Sequence, residues 1–135
     1  TATAANSCPG TTGRSMRFSP MPPSLNQCRS EPQMPTDVTG AVVGEDVATQ
    51  TDQVMRNLER VVQLCGGGLA DVVSVRAYLI DWADYDAFNV AYAKWFPDRL
   101  PTRTCVGVTG LAVGSLVEID MVCWRAEGWP SLPQS

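Results

Sequence analysis

Histidine is absent from this chain of 135 residues, and its absence removes several kinds of catalysis at once. Without an imidazole there is no Ser-His-Asp or Cys-His catalysis, no histidine metal ligand and no histidine proton shuttle. Basic runs are missing as well, since ten Lys and Arg stand against fourteen Asp and Glu, for a net charge of −4. Nucleic-acid binding depends on a positively charged surface, so we expect no nucleic-acid partner. Any chemistry must come from arginine, carboxylates, tyrosine, cysteine or the backbone.

Long apolar runs and paired cysteines are also lacking. Residues 1–30 contain no apolar core of the length that a signal peptide needs, and the most apolar later stretch, Val72 to Ile80, is interrupted by Arg76. The five cysteines are an odd number without a C-x-x-C pair, which is unlike a disulfide framework or a thiolate zinc site. We therefore expect reduced cysteines, no metal, no membrane association and a cytoplasmic location.

Composition changes abruptly near residue 36. Six of the ten prolines and only one acidic residue lie before it, without the alternation of a strand or the period of a helix. This composition predicts loop or disorder, although a short strand around Ser15 to Ser19 is conceivable. We divide the chain into an irregular, proline-rich segment over 1–35, an α+β domain over 36–127 and a C-terminal tail over 128–135.

A first helix is predicted shortly after Thr39. Asp46 can cap it, and its apolar positions follow the 3.6-residue period up to Cys65. The run Gly66-Gly67-Gly68 then ends the helix. Glycines that follow a helix and precede a strand have the reverse of the order in a phosphate-binding loop, so we interpret them as a helix end.

Four further elements follow in the order β-α-β-β. Residues 71–80 form a β-branched strand, a second helix ends before Pro97, and two strands cover 102–108 and 116–125. The complete order, α-β-α-β-β, predicts an α+β layer that needs more strands to cover its sheet. The natural donor is the segment before Thr39, where strand signals are missing. The second helix carries aromatic residues that we assign to the core or an interface rather than to a cofactor site: Tyr85, Phe88, Tyr92, Trp95 and Phe96.

Several sequence pieces stand in a characteristic order and spacing between Gln33 and Arg125. They are Gln33-x-Pro35 with Thr39-Gly40, then QTDQVMRNLERVV, DVVSVRAYLIDWADYDAFNVAYAKWF, PTRTCVGVTGLAVG and VEID. In these pieces the chain resembles the RidA, or YjgF-type, family of reactive-intermediate deaminases.

The resemblance implies a fold, an assembly and an activity. The fold is chorismate-mutase-like α+β, with two helices on one face of the sheet, and three subunits form a barrel-like homotrimer with ligand sites between subunits. The activity is hydrolysis of enamine or imine intermediates, such as 2-aminoacrylate, to 2-keto acids and ammonia, as by a 2-iminobutanoate/2-iminopropanoate deaminase. No cofactor is implied.

The chain departs from the family before Gln33. Members place two strands and a Ser-Gly-Gln turn there, whereas this chain reads Ser30-Glu31-Pro32-Gln33 after a segment that does not look like strands. Because that turn lines the pocket, a non-catalytic trimer that binds a small carboxylate or a protein partner is the alternative function. A chain that folds only in part is a third, weaker interpretation.

Arg103 is the leading candidate for the active site. In the strand over 102–108 it shares one face with Cys105 and Gly107. A planar guanidinium binds a carboxylate through two parallel hydrogen bonds, and a 2-imino acid carries a carboxylate next to its reacting carbon. The resemblance assigns this role to the arginine of the PTRTC motif. The alternative is a structural ion pair between Arg103 and Glu118.

Glu118 is the candidate that handles the attacking water. Imine hydrolysis needs a group that accepts or relays a proton of that water, which a partly desolvated carboxylate can do. If the strand of Arg103 pairs with the next strand so that the numbers of paired residues add up to an odd sum, Glu118 and Asp120 lie on the same face of the sheet as Arg103. Val117 and Ile119 then turn to the core. We expect this register because the even one buries an unpaired guanidinium, and a solvated strand face is the alternative for both acids.

Cys105 and Asn89 complete the predicted binding site. No histidine or other base is available to activate the Cys105 thiol, so we expect its backbone carbonyl or amide to hold the substrate nitrogen or the water. Asn89 matches a polar position in the second helix of the family and is expected to support the pocket. Plain helix surface is the alternative for Asn89.

Overall fold

One mixed sheet with two α-helices makes up the part of the chain, residues 6–7, 17–20 and 26–129, that the computed structural model describes. The strands are β1 (Asn6–Ser7), β2 (Arg17–Pro20), β3 (Gln27–Ser30), β4 (Val72–Leu79), β5 (Thr102–Gly107) and β6 (Val117–Trp124), and the helices are α1 (Val47–Leu64) and α2 (Tyr85–Ala93). The order across the sheet is β1-β2-β3-β6-β4-β5. The predicted α+β class and the order α-β-α-β-β from α1 onward are confirmed.

Helix α1 begins and ends where the sequence predicts. The Asp46 carboxylate accepts hydrogen bonds from the backbone N–H of Thr49 (3.1 Å) and from its hydroxyl (2.6 Å). At the other end, Gly66 has a φ of 92°, a left-handed conformation that glycine adopts at little cost. The N–H of Gly67 then donates to the carbonyl of Val62 (2.9 Å), which closes the helix in the manner typical of such glycines.

Both helices pack against the same face of the sheet. The side chains of β4 and β6 on that face are apolar and almost completely buried: Val75, Ala77, Leu79, Val117, Ile119, Met121 and Cys123. Helix α2 adds Phe88 and Tyr92 to this core. Because side chains alternate along a strand, the polar residues between these positions point to the other face. The aromatic residues Phe88 and Tyr92 of α2 belong to the core, as predicted, and Tyr85 is partly buried against it.

Strand β4 lies between β5 and β6, which corrects one prediction. Helix α2 carries the chain back across the sheet, so β5 pairs with β4 in parallel, with Arg103 opposite Val75. Strand β6 pairs with the other side of β4 in antiparallel, with Ile119 opposite Ala77. The expected direct pairing between the strand of Arg103 and the strand of Glu118 is wrong.

The N-terminal segment contributes strands, so the prediction of an irregular segment over 1–35 is also wrong in part. β1, β2 and β3 extend the sheet beyond β6, and β3 pairs with β6 so that Cys28 lies opposite Cys123. These strands have only two to four residues, too few to leave an alternating pattern in the sequence. The hydrogen-bonding groups along the edge of β6 supply the order that local propensity lacks. β2 overlaps the conceivable strand at 15–19, of which residues 15 and 16 lie outside the described ranges.

Residues 30–33 continue the pairing along β6. The Ser30 hydroxyl accepts a hydrogen bond from the backbone N–H of Met121 (2.9 Å), and Gln33 exchanges two backbone hydrogen bonds with Ile119 (2.8 and 3.1 Å). Ser30 and Gln33 are buried. The side chain of Ser30 thus replaces a backbone acceptor at a point where the chain departs from regular pairing.

The cysteines depart from the sequence prediction at one position. Cys65 is disulfide-bonded, whereas Cys28, Cys105 and Cys123 are free. An odd cysteine count does not exclude a single bridge, so the expectation of five reduced cysteines is wrong. The cysteine argument for a cytoplasmic location is lost with it. No helix in the described part of the chain combines the length and the apolar character that crossing a membrane requires.

Replacing Ser30 by Ala should destabilise the protein by on the order of 1–3 kcal/mol, because it leaves the N–H of Met121 buried without an acceptor. Thermal and urea unfolding measure the loss. Ser74→Ala, at a half-buried serine of β4, is the control and should change the free energy of unfolding much less. Equal stabilities of Ser30→Ala and the wild type would contradict the pairing of this segment with β6.

Candidate active site

Arg103 lies in the middle of the edge strand β5, on the face that α2 covers. Its Nη2 donates a hydrogen bond to Oδ1 of Asn89 (2.7 Å) and makes a longer one to the hydroxyl of Tyr85 (3.4 Å). Tyr85 and Asn89 are four residues apart in α2, so their side chains lie on the same side of the helix. Helix α2 therefore holds the guanidinium by one edge.

Aromatic rings of α2 surround the guanidinium of Arg103. Its Cζ atom lies 4.9 Å from the ring centroid of Tyr92, 5.2 Å from that of Phe88 and 5.8 Å from that of Tyr85. Burial raises the pKa of Tyr92 to about 12 although Arg103 lowers it, so this ring is uncharged at neutral pH. The faces of neutral aromatic rings attract a cation, and they stabilise the charge of Arg103 without neutralising it.

No carboxylate of the described residues lies within ion-pair distance of Arg103. The structural ion pair with Glu118 that the sequence left open is not formed within the chain. The positive charge and the N–H groups that do not face α2 remain available to a ligand. Since the guanidinium is a planar fork, the ligand that fits it best is a carboxylate.

The face of the sheet on which Arg103 lies differs from the prediction. We expected the side chain to point away from the face of Val117 and Ile119, because burial of an unpaired guanidinium is costly. It points to that same face. The cost is reduced because β5 is an edge strand, the side chain is only half-buried, and α2 supplies a hydrogen-bond acceptor and three rings.

Cys105 lies two residues beyond Arg103 on the same face, as predicted. The N–H of Val108 donates to the carbonyl of Leu79 in β4 (2.8 Å). Because the N–H and C=O groups of successive strand residues point to alternate sides, the backbone of Cys105 points away from β4 to the open edge. Its amide and carbonyl are therefore placed to bind a ligand next to Arg103. Burial raises the pKa of the Cys105 thiol although Arg103 lowers it, which opposes a thiolate nucleophile.

Glu118 and Asp120 lie on the opposite face of the sheet from Arg103. Asp120 is only 2% exposed and accepts hydrogen bonds from Nε of Arg76 (2.9 Å) and from the hydroxyl of Tyr78 (3.3 Å). A solvated strand face is thus the wrong interpretation of Asp120, whose oxygens are occupied. Glu118 is half-buried next to Tyr78, and burial together with the charge of Asp120 raises the pKa of its carboxyl group.

The structure brings Arg103, Asn89 and Cys105 together and separates them from Glu118. Sequence reasoning missed one contact, because it assigned Tyr85 to the core or an interface and not to the site of Arg103. The signal that could have revealed it is the spacing of four residues between Tyr85 and Asn89. No group of three His, Cys, Asp or Glu side chains that could hold a metal occurs in the described ranges.

The fold and the site define a class of small α+β protein: two helices cover one face of the sheet, and no carboxylate of the described residues pairs with the arginine on its edge strand. Comparison with known proteins narrows this class. The chain belongs to the endoribonuclease L-PSP family, which is the RidA/YjgF family, since the model of that family matches residues 32–124.

Relatives with established names lie within this family. The chain is 39% identical over 90 residues to the 3-aminoacrylate deaminase RutC of Acinetobacter baylyi. The aligned region covers 66% of this chain and 71% of that relative. It is 34% identical over 84 residues to the chloroplastic Reactive Intermediate Deaminase A of Arabidopsis thaliana, over 62% of this chain and 45% of that one. The crystal structure of the YjgF gene product from E. coli superposes with a TM-score of 0.73 at 25% identity, over 93% and 98% of the two chains. The RidA-type fold is confirmed, and deaminases occur among the relatives.

The raised pKa of Glu118 makes a prediction about stability. Since the folded state binds the Glu118 proton more tightly than the unfolded state, this group contributes stability at low pH that is lost as the pH rises from about 4.5 through the raised pKa. Glu118→Gln should therefore gain stability relative to the wild type between pH 4 and pH 7, measured by thermal unfolding. Glu45→Gln, at an exposed residue, is the control and should show no such gain. A difference between Glu118→Gln and the wild type that does not change with pH would contradict the burial of this carboxylate.

Proposed function

We propose that this protein hydrolyses 2-imino acids and their enamine tautomers, of the 2-aminoacrylate type, to 2-keto acids and ammonia. The observation that carries the proposal is the guanidinium of Arg103, which α2 holds by one edge and which no described carboxylate neutralises. The relative named 3-aminoacrylate deaminase supports the broader chemistry, deamination of a small enamine that carries a carboxylate. The particular substrates 2-iminobutanoate and 2-iminopropanoate are part of this proposal.

The groups around Arg103 suit each part of such a substrate. The substrate carboxylate binds the guanidinium, which Asn89 keeps in position through the 2.7 Å hydrogen bond. The imine nitrogen then lies near the backbone carbonyl of Cys105, which accepts a hydrogen bond from its N–H. The oxygen of water adds to the imine carbon, the carbon–nitrogen bond breaks, and nitrogen leaves as ammonia with the protons that the water loses. No covalent intermediate with the protein is needed.

Glu118 can accept a proton of the attacking water only if it comes from another copy of the chain. Within one chain, Arg103 and Glu118 lie on opposite faces of the sheet. A homotrimer in which the open edge of β5 meets the polar face of a neighbouring sheet places both groups in one cleft. The same assembly covers apolar side chains that one chain leaves exposed, Val106 and Trp124 among them.

The alternative, a non-catalytic trimer that binds a small carboxylate, has the same fold and the same arginine. What separates the two is the segment at Ser30-Glu31-Pro32-Gln33, which differs from the Ser-Gly-Gln turn of the family. Ser30 and Gln33 bind along β6, so the altered segment is ordered. An ordered segment in the place of the Ser-Gly-Gln turn favours the deaminase, and activity measurements decide between the two functions.

Arg103→Lys should lower deamination of enzymatically generated 2-aminoacrylate by roughly a hundredfold, because lysine keeps the charge but loses the planar fork. Release of ammonia and 2-keto acid measures the activity. Arg60→Lys, a change of the same type in α1, is the control and should keep full activity. An Arg103→Lys protein that deaminates normally per folded molecule would return Arg103 to a purely structural role.

Mixing two inactive variants tests whether the site is shared between chains. Arg103→Lys and Glu118→Gln damage different halves of the proposed site, so co-expressed chains should recover about one quarter of the wild-type activity in randomly mixed trimers. Sedimentation equilibrium verifies that the wild type and both variants are trimers. A monomeric wild type, or a mixture as inactive as its components, would exclude a shared site.

A further inference from the structure

Trp82 is an aromatic residue beside the Arg103 site to which the proposed reaction gives no role. It lies three residues beyond the end of β4 and begins a short 3-10 helix, Trp82–Asp84. The carboxylate of Asp81 caps this helix by accepting a hydrogen bond from the N–H of Ala83 (2.9 Å), so the local backbone sets the position of the indole. The side chain of Trp82 is nevertheless 53% exposed.

The indole of Trp82 extends the row of aromatic rings that starts at Arg103. It stacks on Tyr85 with ring centroids 4.5 Å apart and an angle of 18° between the planes. Tyr85 in turn contacts Nη2 of Arg103 through its hydroxyl (3.4 Å). Tyr85 covers one face of the indole, and the exposed part of the ring remains as a flat apolar surface next to a carboxylate-binding group.

Trp82 also lies over the C-terminal end of β5. A Cβ atom at Gly107 would lie 3.9 Å from Cε3 of Trp82, and Gly107 is on the same face as Arg103 and Cys105. Because glycine has no side chain, the indole lies directly against the backbone of β5 at Gly107, two residues beyond Cys105. At about 3.3 Å per residue, Gly107 is roughly 7 Å from Cys105, a distance that an aromatic side chain spans and a methyl group does not.

We propose that Trp82, supported by Tyr85, is the specificity residue that holds the side chain of the substrate. The site then prefers 2-imino acids with a flat apolar side chain, such as the imine of phenylalanine, over three-carbon imines. This inference rests on the proposed function. With the carboxylate on Arg103 and the reacting carbon beside the backbone of Cys105, the substrate side chain extends along β5 toward Gly107 and stacks on the exposed part of the indole. Stacking removes apolar surface from water on both rings, which a methyl group cannot reach far enough to do.

The experiment compares imines that an amino-acid oxidase generates in place from phenylalanine and from alanine. We expect the wild type to accelerate hydrolysis of the phenylalanine imine more than that of the alanine imine. Trp82→Ala should lower the first acceleration roughly tenfold and leave the second unchanged. Gly107→Val places a side chain against the indole without removing it and should weaken the preference in the same direction. Val90→Ala, at an exposed residue of α2 outside the row of rings, is the matched control.

Binding of the two keto acid products, phenylpyruvate and pyruvate, gives a readout that does not depend on turnover. Calorimetry should show tighter binding of phenylpyruvate to the wild type, and Trp82→Ala should abolish the difference. Equal affinities for the two keto acids, or an equal effect of Trp82→Ala on both imines, overturns the inference and leaves the proposed function intact. If neither imine is hydrolysed faster, the proposed function fails, and calorimetry alone then decides whether Trp82 selects the side chain.

Discussion

The parallel pairing of β5 with β4 decides what the two faces of the sheet can do. Arg103 lies opposite Val75, a core residue, so the guanidinium is placed under α2 rather than on the polar face. The antiparallel pairing of β6 with β4 places Glu118 opposite Tyr78, on the other side. With side chains alternating strictly along each strand, no rotamer change can bring the two groups together within one chain. A site that uses both groups has to be assembled from two chains.

Arg76 and Arg103 lie on opposite faces of the sheet and differ in the groups that surround their positive charges. The Nε–H of Arg76 donates a hydrogen bond to the buried carboxylate of Asp120, and the positive charge of Arg76 compensates that carboxylate on the polar face. Arg103 receives an amide oxygen and aromatic faces but no carboxylate among the described residues. Neutral partners orient a cation and leave its charge effective. This difference in partners makes one arginine structural and the other available to an anionic ligand.

The N-terminal strands show how a sheet edge can impose order on an unpromising sequence. β3 has four residues, and the Ser30 hydroxyl takes the place of a backbone acceptor for Met121. Backbone hydrogen bonds to β6, together with this hydroxyl, hold the segment although its sequence lacks the alternation typical of a strand. Through Gln33, the same edge joins the family-like part of the chain to the part that departs from the family.

Elements whose signals are local could be predicted from the amino-acid sequence. Asp46 and Gly66 mark the ends of α1, β-branched residues mark β4, alternation marks β6, and linked motifs from Gln33 to Arg125 identify the family. It also predicted that Arg103, Cys105 and Asn89 belong together. Three features follow only from the three-dimensional fold: the face of Arg103 relative to Glu118, the stacking of Trp82 on Tyr85, and the strands before residue 31. Each of these depends on which strand lies next to which, and strand neighbours are chosen by contacts between residues far apart in the sequence, which a local pattern does not encode.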